Sequence, residues 1–270
     1  MTGSHEDGAR VTVEVHDLVA HVVMRRGDRG NAIDLAMAEA LLGAARTCRD
    51  GNVRAVLLRG EGRSFCVGGD LREFAAVPDP DRHGHLMAVT DTLHEALRVF
   101  AAMDAPLVAA VHGAVAGAGV GLAAAADLTI AAVDATFLLA YTAVGYTPDA
   151  GVSWSLPRLV GPKRAMDLLM TNRRISADEA VAMGLVTRVV GGERLLDEVR
   201  QLADHLAGGA TGAFGAAKRL VAAGLASDFS THLDREARFV ATAATSPEAV
   251  EGVDAFLGKR PPRFRPPATG

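Results

Sequence analysis

Twice along this chain, an apolar segment typical of a buried strand leads into a glycine-rich loop and then into a helix. The first segment covers residues 53–60 and is followed by EGRSFCVGGD, and the second covers residues 107–111 and is followed by HGAVAGAG. This repeated order predicts a layered α/β fold whose loops present backbone groups at one end of the strands. Backbone N–H groups at the start of a helix lack an acceptor within it and can bind an oxyanion. The same glycines would equally serve tight turns and close packing, so the pattern alone leaves both roles open.

The composition is that of a globular chain with one or two domains, and it excludes some classes of partner. The 270 residues contain 28 Lys and Arg against 32 Asp and Glu, and this net charge of −4 is too balanced for binding nucleic acid by charge. The apolar stretch over residues 106–132 is interrupted by His112 and Asp127 and is rich in glycine and alanine. We therefore expect it to form buried core, and we expect no association with a membrane.

Two further features indicate a reducing compartment. The first ten residues, MTGSHEDGAR, contain acids and no apolar run, unlike a signal or transit peptide. Cys48 and Cys66 have neither the spacing of metal ligands nor that of a disulfide framework. We therefore expect a cytoplasmic protein without a metal site.

Hydrophobic periodicity predicts the elements of the first half of the chain. Residues 11–24 have the pattern of a β-hairpin, and Asp34 is a candidate N-cap for the helix that follows. Residues 78–85 are polar and contain two prolines, so a surface loop is predicted there, before a helix over residues 86–103.

The second half, from Asp149 onward, has an almost wholly helical pattern. It ends with a predicted helix over residues 231–256 and a basic, proline-rich tail. A helical region that cannot bury all its apolar faces commonly packs on another subunit. We therefore predict an α/β core over residues 1–197 and a helical oligomerisation region over residues 198–270.

Five longer segments carry a more specific pattern, in this order between residues 11 and 264: RGDRGNAI, SFCVGGDL, APLVAAVHGAVAGAGVGLAAAADLTIA, GYTPDAGVSWSLPRLVGPKRAMDLLMTNRRISADEAVAMGLVTRVV and EGVDAFLGKRPPRF. Together they resemble the enoyl-CoA hydratase/isomerase family, the crotonase superfamily. The resemblance implies a spiral of repeated strand-strand-helix units and a helical C-terminal region used in a homotrimer or homohexamer. It also implies an acyl-CoA thioester as substrate, with no metal or redox cofactor.

The resemblance also assigns roles to the two glycine loops. It implies that the backbone N–H groups of Gly69 and Ala118 form an oxyanion hole for the thioester oxygen. Hydratases of this family have two glutamates that position and activate water, and the corresponding residues here are Gly121 and Tyr141. Neither residue can act as a carboxylate acid or base, so addition of water by the usual route is not supported.

Asp149, in the segment PDAG, is a different candidate for the acid and base. It resembles the catalytic aspartate of dienoyl-CoA and epoxyphenylacetyl-CoA isomerases and the nucleophile of chlorobenzoyl-CoA dehalogenases. A competing interpretation is that Asp149 caps a helix that begins near Ala150. The dehalogenases also have a histidine base at an interval like that of His94 and an aromatic residue near the place of Tyr141. A partly buried structural histidine is the alternative for His94.

Other residues are candidates for binding coenzyme A, as the resemblance implies. Asp70 and Leu71 would line the channel for the pantetheine arm. The candidates for contact with the phosphates and the adenine are Arg26, Arg29, Arg72, Lys259 and Phe256.

The favoured hypothesis is an enoyl-CoA double-bond isomerase in which Asp149 moves a proton beside an oxyanion hole, with Tyr141 shaping the site. The first alternative is an enoyl-CoA hydratase, or an aryl- or acyl-CoA hydrolase, in which Asp149 and His94 handle water or a covalent adduct. The second alternative is a non-catalytic subunit that binds acyl-CoA. Absence of both glutamates favours this last hypothesis, and the presence of Asp149 beside two backbone donors argues against it.

Overall fold

The computed structural model describes residues 9–264. Two terminal segments lie outside the described residues. They are residues 1–8, within the segment that is unlike a signal or transit peptide, and residues 265–270 of the proline-rich tail. The strands are β1 (Val11–His16), β2 (Val19–Met24), β3 (Ala55–Gly60), β4 (Ser64–Cys66), β5 (Leu107–Val111), β6 (Ala114–Ala116), β7 (Leu128–Ala132), β8 (Thr136–Leu138), β9 (Ile175–Ser176) and β10 (Arg188–Val190).

Helices follow or connect these strands and dominate the second half of the chain. They are α1 (Leu35–Asp50), α2 (Leu71–Ala76), α3 (Asp79–Ala102), α4 (Ala118–Ala125), α5 (Val152–Val160), α6 (Pro162–Thr171), α7 (Ala177–Met183), α8 (Leu195–Ala207), α9 (Thr211–Gly224), α10 (Phe229–Ala243) and α11 (Pro247–Leu257). Asp34 caps α1, as predicted, because its carboxylate accepts a hydrogen bond from Met37 N.

The strands form two sheets, which confirms the predicted α/β class. The larger has the order β1-β2-β3-β5-β7-β10 and is parallel except for the β1–β2 hairpin, and the smaller has the order β4-β6-β8-β9. Three successive pairs, β3–β4, β5–β6 and β7–β8, place the first strand in the large sheet and the second in the small one. The chain therefore repeats a strand-strand unit, which a helix follows after β4 and β6.

This arrangement brings the two glycine loops together. Strands β4 and β6 are parallel neighbours, so their carboxyl ends lie at the same edge of the small sheet. The loop after β4 leads into α2, and the loop after β6 leads into α4. Both loops therefore present their backbone at one place.

Two sequence predictions of secondary structure are wrong. The predicted surface loop over residues 78–85 is instead the N-cap residue Pro78 and the first part of α3. The helix accepts Pro80 because this residue lies in the first turn, where a missing N–H costs nothing. The helix predicted over residues 231–256 divides into α10 and α11 at Ser246, which caps α11. The second half of the chain is almost wholly helical, as predicted, and its described part contains only the short strands β9 and β10. The structure adds the three-residue strand β6 within the glycine turn.

The apolar side chains form two buried clusters. The larger lies between the sheets and the helices from α1 to α7. The smaller lies on the other face of the large sheet, where α8 packs its buried residues Leu195, Val199 and Ala203. The predicted boundary between residues 197 and 198 therefore falls inside a helix that packs on the sheet. No helix among residues 9–264 is both long and apolar enough to cross a membrane.

Candidate active site

A cavity of about 400 Å³ lies where the two glycine loops meet α3 and the segment before α5. Its walls are mostly apolar, and Asp149 is the one carboxylate among the described residues that line it. The large side chains of the wall include Ile33, Phe74, Leu86, Leu93, Leu139 and Tyr146. Such a site can enclose an apolar group next to a single acid.

Gly68 allows the two loops to approach each other closely. Its φ is +92°, and a Cβ atom placed on it would lie 3.0 Å from the carbonyl oxygen of Ala116 and 3.3 Å from the nitrogen of Ala118. The backbone conformation and the contact distance both favour glycine at this position. Gly68 is not among the predicted site residues, although the Gly-Gly pair is visible in the sequence.

The predicted oxyanion donors, Gly69 and Ala118, both line this cavity. Ile33 pairs with the groups on either side of Gly69, since Ile33 N donates to Gly68 O and Asp70 N donates to Ile33 O. The N–H of Gly69 is left on the opposite side of that pairing. Ala118 is the first residue of α4, so its N–H has no acceptor within the helix. Within residues 9–264 neither N–H donates to a backbone acceptor, and both are free to bind a ligand.

Tyr141 and Asp149 form a hydrogen-bonded pair in the wall of the cavity. The Tyr141 hydroxyl donates a hydrogen bond of 2.6 Å to Oδ1 of Asp149. Burial and then the negative charge of Asp149 raise the pKa of Tyr141 well above its usual value, so the phenol stays protonated. Tyr141 therefore orients the carboxylate as a hydrogen-bond donor.

Asp149 does not cap the helix that follows it. Helix α5 begins at Val152, its N-cap is Gly151, and no side chain accepts a capping hydrogen bond there. The interpretation of Asp149 as an N-cap is therefore wrong, and its side chain is available to the cavity. Helix α5 therefore begins two residues later than the start near Ala150 that the sequence predicts.

Ala150 connects Asp149 to the helices on both sides of the cavity. Its N–H donates a hydrogen bond of 3.0 Å to Nε2 of His94 on α3. A Cβ atom placed on Gly121 would lie 2.6 Å from the Cβ of Ala150, so Ala150 occupies the space that a side chain at position 121 would need. His94 itself does not line the cavity, and Ala150 is not among the site residues predicted from the sequence.

Cys66 lies directly beneath the loops. It is fully buried, and a Cβ atom on Gly119 would lie 2.2 Å from its carbonyl oxygen, so α4 needs a glycine there to pack on β4. Burial and the negative charge of Asp149 raise the pKa of its thiol to about 12. The thiol is therefore protonated at neutral pH and unsuited to act as a nucleophile.

Arg26 and Asp70 belong to a buried ion-pair network. The side chain of Arg26 is 12% exposed and contacts Asp70 at 2.7 Å and Asp34 at 3.2 Å. Burial alone would raise the pKa of Asp70, but hydrogen bonds from Arg26, Glu73 and Arg72 outweigh it and hold the pKa below its usual value. Asp70 also caps α2 through the backbone of Arg72 and Glu73. This network fixes the loop that carries Gly69.

The remaining candidates for coenzyme A contact are placed differently. Leu71 is half-exposed and lines the cavity, where the predicted pantetheine channel would run. Arg72 is exposed next to it. Phe256, near the end of α11, and Lys259, two residues beyond it, are exposed and do not line the cavity. No group of three or more His, Cys, Asp or Glu side chains in the described part of the chain is arranged to hold a metal ion.

Proteins with similar sequences and structures cover nearly the whole chain. A Rhodobacter capsulatus protein named a probable enoyl-CoA hydratase is 39% identical over 94% of this chain and 97% of its own length. The 1,2-epoxyphenylacetyl-CoA isomerase of Escherichia coli strain K12 is 38% identical over 80% of this chain and 82% of its own. The crystal structure of an enoyl-CoA hydratase from Polaromonas sp. JS666 superposes with a TM-score of 0.88 at 31% identity, over 94% of this chain and 99% of that one.

A comparison with protein families also covers nearly the whole chain. The family described as Enoyl-CoA hydratase/isomerase matches residues 14–267. This range contains both glycine loops, the Tyr141–Asp149 pair and the C-terminal helices. The chain belongs to the enoyl-CoA hydratase/isomerase family, as its sequence motifs predicted.

Proposed function

We propose that this protein is an acyl-CoA isomerase that moves a double bond by transferring a proton through Asp149. The main support for the proposal is the hydrogen bond of 2.6 Å by which Tyr141 orients Asp149, the one carboxylate among the described residues that line this mostly apolar cavity. A carboxylate held in this way, next to two free backbone donors, has the composition of a proton-transfer site.

In the proposed reaction, the thioester oxygen accepts hydrogen bonds from the N–H groups of Gly69 and Ala118. Asp149 removes a proton from one carbon, and the electron pair of that C–H bond moves toward the thioester oxygen to form an enolate. The two donors and the positive end of the α4 dipole stabilise this charge. Asp149 then returns the proton to another carbon of the conjugated system, and the double bond has moved. The reaction as proposed uses no metal or redox cofactor.

The absence of the hydratase glutamates supports isomerisation over hydration. Gly121 has no side chain, and the space above it is filled by Ala150, so a carboxylate at this position would require the loop to move. Tyr141 occupies the other position, and its phenol is engaged by Asp149. One carboxylate is sufficient to shuttle a proton, whereas the usual addition of water in this family uses two.

The names of the relatives leave several reactions to be tested. One relative is named a hydratase and another a 1,2-epoxyphenylacetyl-CoA isomerase.

The experiment incubates the protein separately with crotonyl-CoA, a 3-enoyl-CoA and a benzoyl-type CoA thioester, and follows the products by mass. Isomerisation leaves the mass unchanged, hydration adds one water, and hydrolysis releases free coenzyme A. Unchanged mass with a shifted double bond supports the proposal, and accumulation of hydrated product or free coenzyme A contradicts it. Calorimetric binding without any turnover would favour the non-catalytic subunit.

We also propose that the C-terminal helices bury their exposed apolar side chains in a homo-oligomer. Phe229, Val240 and Leu257 are 78%, 68% and 73% exposed in the single chain. Exposed apolar surface of this kind is typical of subunit contacts. Light scattering coupled to size exclusion should give the mass of a trimer or a hexamer, and a monomer would contradict this proposal.

A further inference from the structure

Ala150, the residue after Asp149, has an unusual backbone conformation for a buried alanine. Its φ is +48°, in the left-handed region, where a Cβ atom is unfavourable. It is 2% exposed. A strained residue persists only when its surroundings determine its conformation, and such residues cluster at functional sites.

Two neighbours determine the conformation of Ala150. On one side, its N–H donates to Nε2 of His94, which lies 56 residues earlier on α3. On the other side, its Cβ and carbonyl oxygen occupy the space left by Gly121, where an added Cβ would be 2.6 Å from each. Helices α3 and α4 therefore hold this residue between them.

The hydrogen bond also fixes the state of the His94 ring. Because Nε2 accepts from a backbone N–H, its lone pair is occupied, and the proton of the neutral imidazole lies on Nδ1. His94 is not part of the cavity wall. In this arrangement Nε2 is not available to remove a proton from water or substrate, as a base of the dehalogenase type would have to do.

We infer that His94 is a positioning residue that aims Asp149 into the cavity by holding the Ala150 N–H. Asp149 is then fixed at two points, by the Tyr141 hydroxyl on its carboxylate and by His94 through the adjoining peptide. This inference rests on the proposed function, because the orientation of Asp149 affects the reaction only if Asp149 transfers a proton. It differs from the role of base considered for His94 from the sequence.

The test compares two replacements of His94 that differ in one property. His94→Gln places an amide oxygen close to the position of Nε2 and can still accept the Ala150 hydrogen bond, but it cannot act as a base. His94→Leu has a similar size and no acceptor. His83→Leu, at an exposed histidine on the same helix, is the matched control.

We expect His94→Leu to lower kcat for double-bond migration by about 100-fold, with KM changed less than threefold, because misplacement by about 1 Å has an effect of this order. His94→Gln should recover kcat to within about fivefold of wild type, and His83→Leu should match wild type. Equal losses in the Gln and Leu variants would overturn the inference in favour of a base, and unchanged kcat in the Leu variant would overturn it outright.

A second measurement does not depend on activity. In ¹⁵N NMR spectra of the wild-type protein near neutral pH, we expect His94 to carry its proton on Nδ1 and to have an unprotonated Nε2. A proton on Nε2 would overturn the hydrogen bond and the inference with it. If the wild-type protein isomerises no thioester while Nε2 is unprotonated, the proposed function fails, and the contact of His94 with Ala150 is retained as a structural one.

Discussion

The carboxylate of Asp149 and the hydroxyl of Tyr141 are 2.6 Å apart, and both groups face the cavity next to the free N–H groups of Gly69 and Ala118. The two residues are eight positions apart in the sequence. The segment between them, which includes a short 3₁₀ turn at Thr142–Val144, turns the chain back so that phenol and carboxylate meet. The proposed chemistry depends on this pair.

Replacing Tyr141 by phenylalanine should therefore weaken both the fold and the reaction. A hydrogen bond to a charged group contributes about 1.5–3 kcal/mol, so the free energy of unfolding should fall by about that amount. We expect kcat to fall by about tenfold or more because Asp149 is no longer oriented, which steady-state kinetics will show. Tyr146→Phe removes the other phenol of the cavity and should destabilise the fold less. Equal stability of the Tyr141→Phe and wild-type proteins in urea would show that the hydrogen bond contributes nothing.

Gly68→Ala tests the close approach of the two loops. The new Cβ would lie 3.0 Å from Ala116 O, and the left-handed φ of +92° adds strain of about 1–2 kcal/mol. We expect kcat to fall by about tenfold or more, since Ala118 N must shift. Gly161→Ala is the matched control, because Gly161 has a φ of +84° and open space around it. The control should lose only the stability that backbone strain accounts for and should keep its kcat, whereas similar kcat losses in both variants would contradict this prediction.

Arg26→Leu distinguishes a structural arginine from one that binds coenzyme A. Removing one partner of a buried ion pair costs about 3–5 kcal/mol, so a lower free energy of unfolding is expected. KM for acyl-CoA should change little, because Arg26 is bonded to Asp34 and Asp70. Arg72→Leu, at an exposed position, should leave stability unchanged and raise KM if Arg72 meets the phosphates as predicted. A raised KM in Arg26→Leu at unchanged stability would restore the predicted role of Arg26.

The same network gives a dependence of stability on pH. The pKa of Asp70 is lower in the folded state than its usual value of about 3.9. Its contribution is therefore complete above that value and is lost as the pH falls through the folded-state pKa. Denaturant titrations of wild type and Asp70→Asn should converge as the pH is lowered below about 4. A constant difference between the two proteins down to acid unfolding would contradict this assignment.

The parts of the fold that could be predicted from the sequence are those with long, uniform patterns. The strands at Leu107–Val111 and Leu128–Ala132 are buried in a parallel sheet on both faces, so they are apolar runs, interrupted in the second strand only by Thr129. The strands of the small sheet have only two or three residues, and such short runs cannot be distinguished from loops. The break at Ser246 was missed because apolar periodicity continues across it.

The site likewise contains residues that could be predicted from the sequence and residues that could not. The oxyanion donors follow glycine loops that are visible in the sequence, and Asp149 stands in a recognisable family motif. Two contacts of the site could not be predicted, that of Arg26 with Asp70 and that of His94 with Ala150. Each joins residues far apart in the sequence, by 44 and 56 positions, which only the tertiary fold brings together. The left-handed conformation of Ala150 has no signal in the sequence, because alanine rarely adopts it.

In the proposed reaction, Asp149 carries the proton between two carbons of the substrate. The direct measurement is kcat for double-bond migration in Asp149→Asn, with binding of the same enoyl-CoA measured by calorimetry. Loss of a positioned acid and base should lower kcat by about 10²–10⁴-fold while the dissociation constant changes little, because the oxyanion donors and the apolar walls are retained. Wild-type turnover by Asp149→Asn on every enoyl-CoA that the native protein isomerises would contradict the account.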